Sequence, residues 1–126
     1  MSEQNTQDAQ LISADQAARL IEEGVLLIDV RSEAGRASTG SIPGAVVVDR
    51  ENVAQDFGPD LDSRLPQVTG TDQKIVVFCG SVNGSGPVAQ KLKVLGYSQA
   101  VHVDGGFLAL RDAGVTTTGP VVQAAV

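Results

Sequence analysis

Lys74-Ile-Val-Val-Phe-Cys79, then Gly80-Ser-Val-Asn-Gly-Ser-Gly86, then Pro87-Val-Ala-Gln-Lys-Leu-Lys-Val-Leu95 is the stretch on which the fold turns. An apolar run this short, bounded by a charge and a glycine, reads as a strand covered on both faces of a sheet. Pro87 suits the first helical position, and Val88, Leu92 and Leu95 place an apolar stripe on the helix that follows. Gly96 ends it. The spacing therefore predicts strand, glycine-rich loop and helix, with Cys79 at the strand's carboxyl end. Open α/β sheets gather their sites just beyond such ends.

The pattern repeats to either side. Upstream, Ser13 with Gln16 forms a capping-box pair ahead of Ala17, Leu20 and Ile21, and Gly24 closes that helix. Val25 to Val30 is a second buried-strand run, and Ala45 to Val48, after the Ile42-Pro43-Gly44 turn, is a third. Residues 49–72 are polar and irregular, with a short helix expected through Leu61 and Leu65. Downstream come a strand over Ala100 to Val103, a turn at Asp104-Gly105-Gly106 and a helix over Phe107 to Ala113. Short buried strands alternating with helices predict a mostly parallel central sheet of about five strands with helices on both faces. The expected divisions are a tail over 1–10, one domain over 11–114 and a second tail over 115–126.

Composition narrows the function. The 126 residues suffice for one domain with a real core, built from Val, Leu, Ile and Ala because there are three Phe, one Tyr and no Trp. A net charge of -6, without a basic patch, removes the electrostatic footprint of nucleic-acid binding. One Cys and one His exclude an internal disulfide and a multi-thiolate zinc site. No metal or organic cofactor is expected. No run approaches the roughly 20 apolar residues that span a bilayer, and the polar start lacks a signal peptide's apolar region. A cytoplasmic protein with no membrane partner is expected, its thiol reduced.

Cys79 has chemically suggestive surroundings. Three glycines allow the following loop to curl and aim successive N–H groups into one concavity, and a helix start adds partial positive charge. An anion at the centre would be stabilised, and Cys79 places a sulfur there. Such an environment favours a thiolate nucleophile. The competing account makes Cys79 a small buried hydrophobe.

Five pieces in order carry a resemblance: Leu-Ile-Asp29-Val-Arg31, Ser41-Ile-Pro-Gly-Ala45, Ile-Val-Val-Phe-Cys79, Leu95-Gly-Tyr97 and Val103-Asp-Gly-Gly106. Together they resemble a single-domain rhodanese over most of Leu11 to Gly114. The resemblance implies a rhodanese-like α/β fold and sulfurtransferase activity. Cys79 would take a sulfane sulfur from thiosulfate or a persulfide, become a persulfide itself, and pass the sulfur to cyanide, a thiol or an acceptor protein. The amides of Gly80, Ser81, Val82, Asn83, Gly84 and Ser85 would hold the anion, with Arg36 as an electrostatic assistant. The chain departs from the family pattern where loop cations usually stand, at Gly80 and Gly84, and also at Ser41 and Leu110, where His and Trp are usual. Each missing charge-assisted contact is worth roughly 1.5–3 kcal/mol, which disfavours a compact dianionic donor.

Other readings are weaker. Gly84-Ser-Gly86-Pro-Val-Ala89 matches a dinucleotide fingerprint, but four residues separate it from the strand and no second half follows. A P-loop lacks its lysine. A cysteine phosphatase or arsenate reductase is the nearer relative in chemistry, but the phosphatase's arginine position, six residues after the cysteine, holds Ser85. A non-catalytic interaction module on the same scaffold is the main alternative. Asp29 is expected to bond backbone N–H groups, Arg31 to tie the sheet edge to nearby loops, and His102 to be a satisfied, partly buried side chain.

Overall fold

The computed structural model describes residues 10–58, 64–80 and 82–118. Its strands are β1 (Gln10–Ile12), β2 (Leu26–Asp29), β3 (Val46–Val47), β4 (Ile75–Phe78) and β5 (Ala100–Val103). Its helices are α1 (Ala14–Glu22), α2 (Glu33–Thr39), α3 (Val53–Asp56), α4 (Val82–Val94) and α5 (Gly106–Asp112), with a 3-10 turn at Arg50–Asn52.

All strands are parallel, in the order β1-β5-β4-β2-β3. The most apolar run occupies the middle: all four residues of β4 are buried. Alternation along β4 sorts its side chains between two cores. Ile75 and Val77 join Val53 of α3 and Val88, Ala89 and Leu92 of α4, while Val76 and Phe78 join Ala17 of α1 and Phe107 and Leu110 of α5. The expected sheet with helices on both faces is what forms. Polar anchors are few. Tyr97 donates its hydroxyl to the Phe57 carbonyl at 2.6 Å, with the two rings edge to face at 5.6 Å.

Several local expectations change. α4 starts at Val82, five residues before Pro87, so the proline lies inside a helix. An internal proline forfeits one helical hydrogen bond and typically costs about 3 kcal/mol, so packing, not propensity, holds this first turn and a half. The packing is visible at Ser85, which is completely buried. β1 forms within what reads as a tail and the start of the domain, because Ile12 buries its side chain beside β5. α2 forms in a stretch read only as polar. It is capped by Ser32, whose hydroxyl accepts from the Gly35 N–H at 3.1 Å, and it buries no residue, which is why no apolar stripe announces it. β3 keeps only two of the four expected residues. Leu61 lies outside the described residues; Leu65 packs against the α4-side core. Beyond Gly114 the chain is tied down at Thr118, which exchanges two backbone hydrogen bonds with Ser41. Among the described residues no helix is long and apolar enough to cross a membrane.

Candidate functional site at the carboxyl edge of the sheet

Cys79 is the first residue beyond β4, half-buried against the α4-side core, with its side chain on the same face as Ile75 and Val77. Gly80 is exposed, and α4 begins two residues later. The connection is thus shorter than the curled loop expected through Ser85. Val82, Asn83 and Gly84 lie in the first helical turn, where backbone N–H groups have no carbonyl one turn back inside the helix. Ser81 lies outside the described residues.

A second element pins the cysteine. The Phe107 N–H donates to the Cys79 carbonyl at 2.8 Å. Gly106, at φ +64°, lies so close beneath that a Cβ there would stand 2.3 Å from the Cys79 oxygen and 2.8 Å from the Gly80 carbonyl carbon. Only glycine accommodates both the left-handed backbone and this approach. The sequence presents Gly105-Gly106 as a turn, whereas the fold uses Gly106 as the seat of the Cys79–Gly80 peptide. The signal was present, a glycine pair directly after a strand, but its partner is distant in sequence.

His102 pairs in register with Val77 and so projects on the α4 face, as Cys79 does. Its Nδ1 lies 3.3 Å from the Ser85 hydroxyl, and a Cβ on Gly86 would stand 3.3 Å from its ring. His102 therefore wedges against the start of α4. Burial pushes its pKa below the usual histidine value, and the Asp104 carboxylate pulls it partly back. Ser85, expected to serve the loop or cap the helix, lies inside α4 and turns its hydroxyl to His102.

The neighbouring strand ends in a closed network. Asp29 and Arg31 are both buried. Arg31 donates from Nε and Nη2 to the Asp29 carboxylate at 2.8–3.3 Å, and its backbone N–H also reaches Oδ1. Further bonds run to the Thr39 hydroxyl and the Gly40 carbonyl, and the guanidinium lies 4.2 Å from the Phe107 ring centroid. Arg31 ties the sheet edge to the Thr39–Gly40 segment as expected, whereas Asp29, expected to bond backbone N–H groups, accepts one from Arg31 and is otherwise paired with the Arg31 guanidinium. Arg36 is elsewhere: one guanidinium nitrogen donates to the Arg31 carbonyl at 2.6 Å, and the side chain lines a cleft of about 380 Å³ on the β2–β3 side. Cys79 is not among that cleft's walls. No group of metal-ligating side chains occurs among the described residues.

The edge therefore offers a partly buried cysteine at a helix start, a histidine–serine pair on the same face of the sheet and a cleft to one side. The family model for the rhodanese-like domain matches residues 13–113. Over 96 residues, 76% of this chain and 81% of the relative, the sequence is 35% identical to "Thiosulfate sulfurtransferase GlpE" of Pseudomonas savastanoi pv. phaseolicola (strain 1448A / Race 6). Among solved structures, a protein of unknown function from Rhodopseudomonas palustris CGA009, described as a possible tyrosine phosphatase, superposes with a TM-score of 0.77. It is 26% identical, over 87% of this chain and 85% of that one. A rhodanese-like domain from Anabaena sp. superposes with a TM-score of 0.68 at 20% identity, over 86% of this chain and 78% of that one.

Proposed function

Because the chain belongs to the rhodanese-like domain family, we propose that it is a sulfurtransferase whose working nucleophile is Cys79. The observation that carries this reading is the placement of a partly buried cysteine between a strand end and a helix start, with its carbonyl held by the Phe107 N–H. The Cys79 thiolate attacks the outer sulfur of a donor such as thiosulfate or an organic persulfide. A Cys79 S–S bond forms, the donor's S–S bond breaks, and the donor leaves as sulfite or as a thiolate that takes up the displaced proton. An acceptor thiol or cyanide then attacks the terminal sulfur and returns Cys79 to the thiolate. The N–H groups of Gly80 and of the first turn of α4 (Val82, Asn83, Gly84) hold the persulfide anion, with the positive end of that helix behind them. No cofactor enters either step.

The relatives' name supports sulfur transfer, and the bare cradle argues for a donor less compactly charged than thiosulfate. A phosphatase reading has less support: the position six residues after Cys79, where an arginine would clamp phosphoryl oxygens, is Ser85, whose hydroxyl faces His102. Intact mass after incubation with a panel of sulfane donors tests the proposal. The protein gains one sulfur atom, reductant removes it, and Cys79→Ser never acquires it. Failure with every donor would leave a rhodanese-like interaction module.

A further inference from the structure

The charges along the carboxyl edge are distributed unevenly. On the β5 side stands exposed Asp104, and at β4 neither Cys79 nor Gly80 bears a cation. Arg31 is consumed by Asp29, Thr39 and Gly40. The cations open to a ligand lie toward β2 and β3, in the cleft that Arg36 and Arg50 share with Glu33 and Asp49. Arg50 is exposed and makes no ion pair among the described residues. Two cations and two carboxylates in one cleft suit a zwitterion better than a dianion.

Distance makes the same selection. Val30 and Val48 belong to the cleft wall and lie one and two strands over from β4, since the Val30 N–H bonds the Phe78 carbonyl and the Val48 N–H bonds the Asp29 carbonyl. At a strand spacing of about 4.8 Å, the cleft opens roughly 5–10 Å from the end of β4. Thiosulfate carries its charge one S–S bond, about 2 Å, from the sulfur it gives up, and cannot occupy both places. An amino acid or small peptide carries its carboxylate farther off, by about 3.5 Å per residue beyond the sulfur-bearing one.

We propose that the cleft of Arg36 and Arg50 is the donor's second foothold, and that the preferred donor is the persulfide of an amino-acid or small-peptide thiol. Its carboxylate meets the two arginines and its ammonium faces Glu33 and Asp49, while its outer sulfur reaches Cys79. This rests on Cys79 being the sulfur acceptor. The step balances: the Cys79 thiolate bonds to the outer sulfur of R–S–SH, the donor's S–S bond breaks, and the leaving thiolate takes the proton to become R–SH.

The test compares rate constants for sulfur gain by the full chain, read by intact mass, with glutathione persulfide and with uncharged hydroxyethyl persulfide. Glutathione persulfide is expected to react at least about fivefold faster, an advantage that shrinks with added salt. Arg50→Ala brings the ratio toward one, Arg50→Lys keeps part of it, and Arg111→Ala, in an exposed pair with Asp112 on α5, leaves the ratio where it was. Equal rates for the two donors in the native protein, or a ratio unmoved by both Arg50→Ala and Arg36→Ala, would overturn the cleft's role. Absence of sulfur gain from either donor and from thiosulfate would instead overturn the assignment of Cys79 itself.

Discussion

Two strand ends lie side by side in this sheet and are built on opposite principles. At the end of β2 a carboxylate and a guanidinium are buried together, each hydrogen-bonded, with an aromatic ring beneath the cation. At the end of β4 a thiol sits beside a glycine and a helix start, with no side-chain cation contributed by the described residues that adjoin it. The first end places its charges permanently and leaves them nothing further to bind. The second stays uncommitted: its backbone is held by Phe107 and Gly106 while Cys79 itself is only partly buried. For the sulfur transfer proposed above, N–H groups at a helix start serve an anion that comes and goes better than a cation already neutralised.

The sharpest way to break this contrast is Arg31→Ala. It strands the Asp29 carboxylate in the interior and should cost about 3–5 kcal/mol, read as a fall in the urea midpoint. The double variant Asp29→Asn, Arg31→Met should recover part of that loss. A single variant as stable as the native chain would mean that the pair is not the anchor of β2. Gly106→Ala comes next. The left-handed backbone alone costs about 1–3 kcal/mol in a non-glycine residue, and the added methyl must displace the Cys79–Gly80 peptide. Stability and the Cys79 alkylation rate should therefore fall together. An unchanged alkylation rate would show that the seat beneath the cysteine does not set its reactivity.

The smallest effect concerns His102. Because its pKa is lowered in the folded protein, the unfolded chain binds the proton more readily. Its contribution is complete above the ordinary histidine pKa of about 6.5 and is lost as pH falls through that value toward the depressed one. Urea midpoints should drop from pH 7.5 to pH 5.5 in the native protein and drop less in His102→Gln. Identical slopes would remove His102 from the account of how α4 is seated.

Much of this architecture is legible along the chain. The β4 run, the capping box at Ser13 and the Asp29-Val-Arg31 spacing all act locally, and local rules recover them. α2 is hidden because it buries nothing, and the early start of α4 is hidden because Gly84, Gly86 and Pro87 oppose a helix that tertiary contacts impose. Ser85 and His102 are 17 residues apart, and Gly106 is 27 residues from Cys79. Neither meeting can be read from spacing.

By itself, the order of apolar runs, glycines and caps determined a parallel α/β sheet with one cysteine at a strand end, because burial periodicity and turn chemistry are properties of neighbours in the chain. Only the tertiary structure decided what surrounds that sulfur. Parallel pairing brings the starts of α4 and α5 to the same edge while sending Arg36 to a separate cleft, and such juxtapositions depend on strand order, which no short segment encodes.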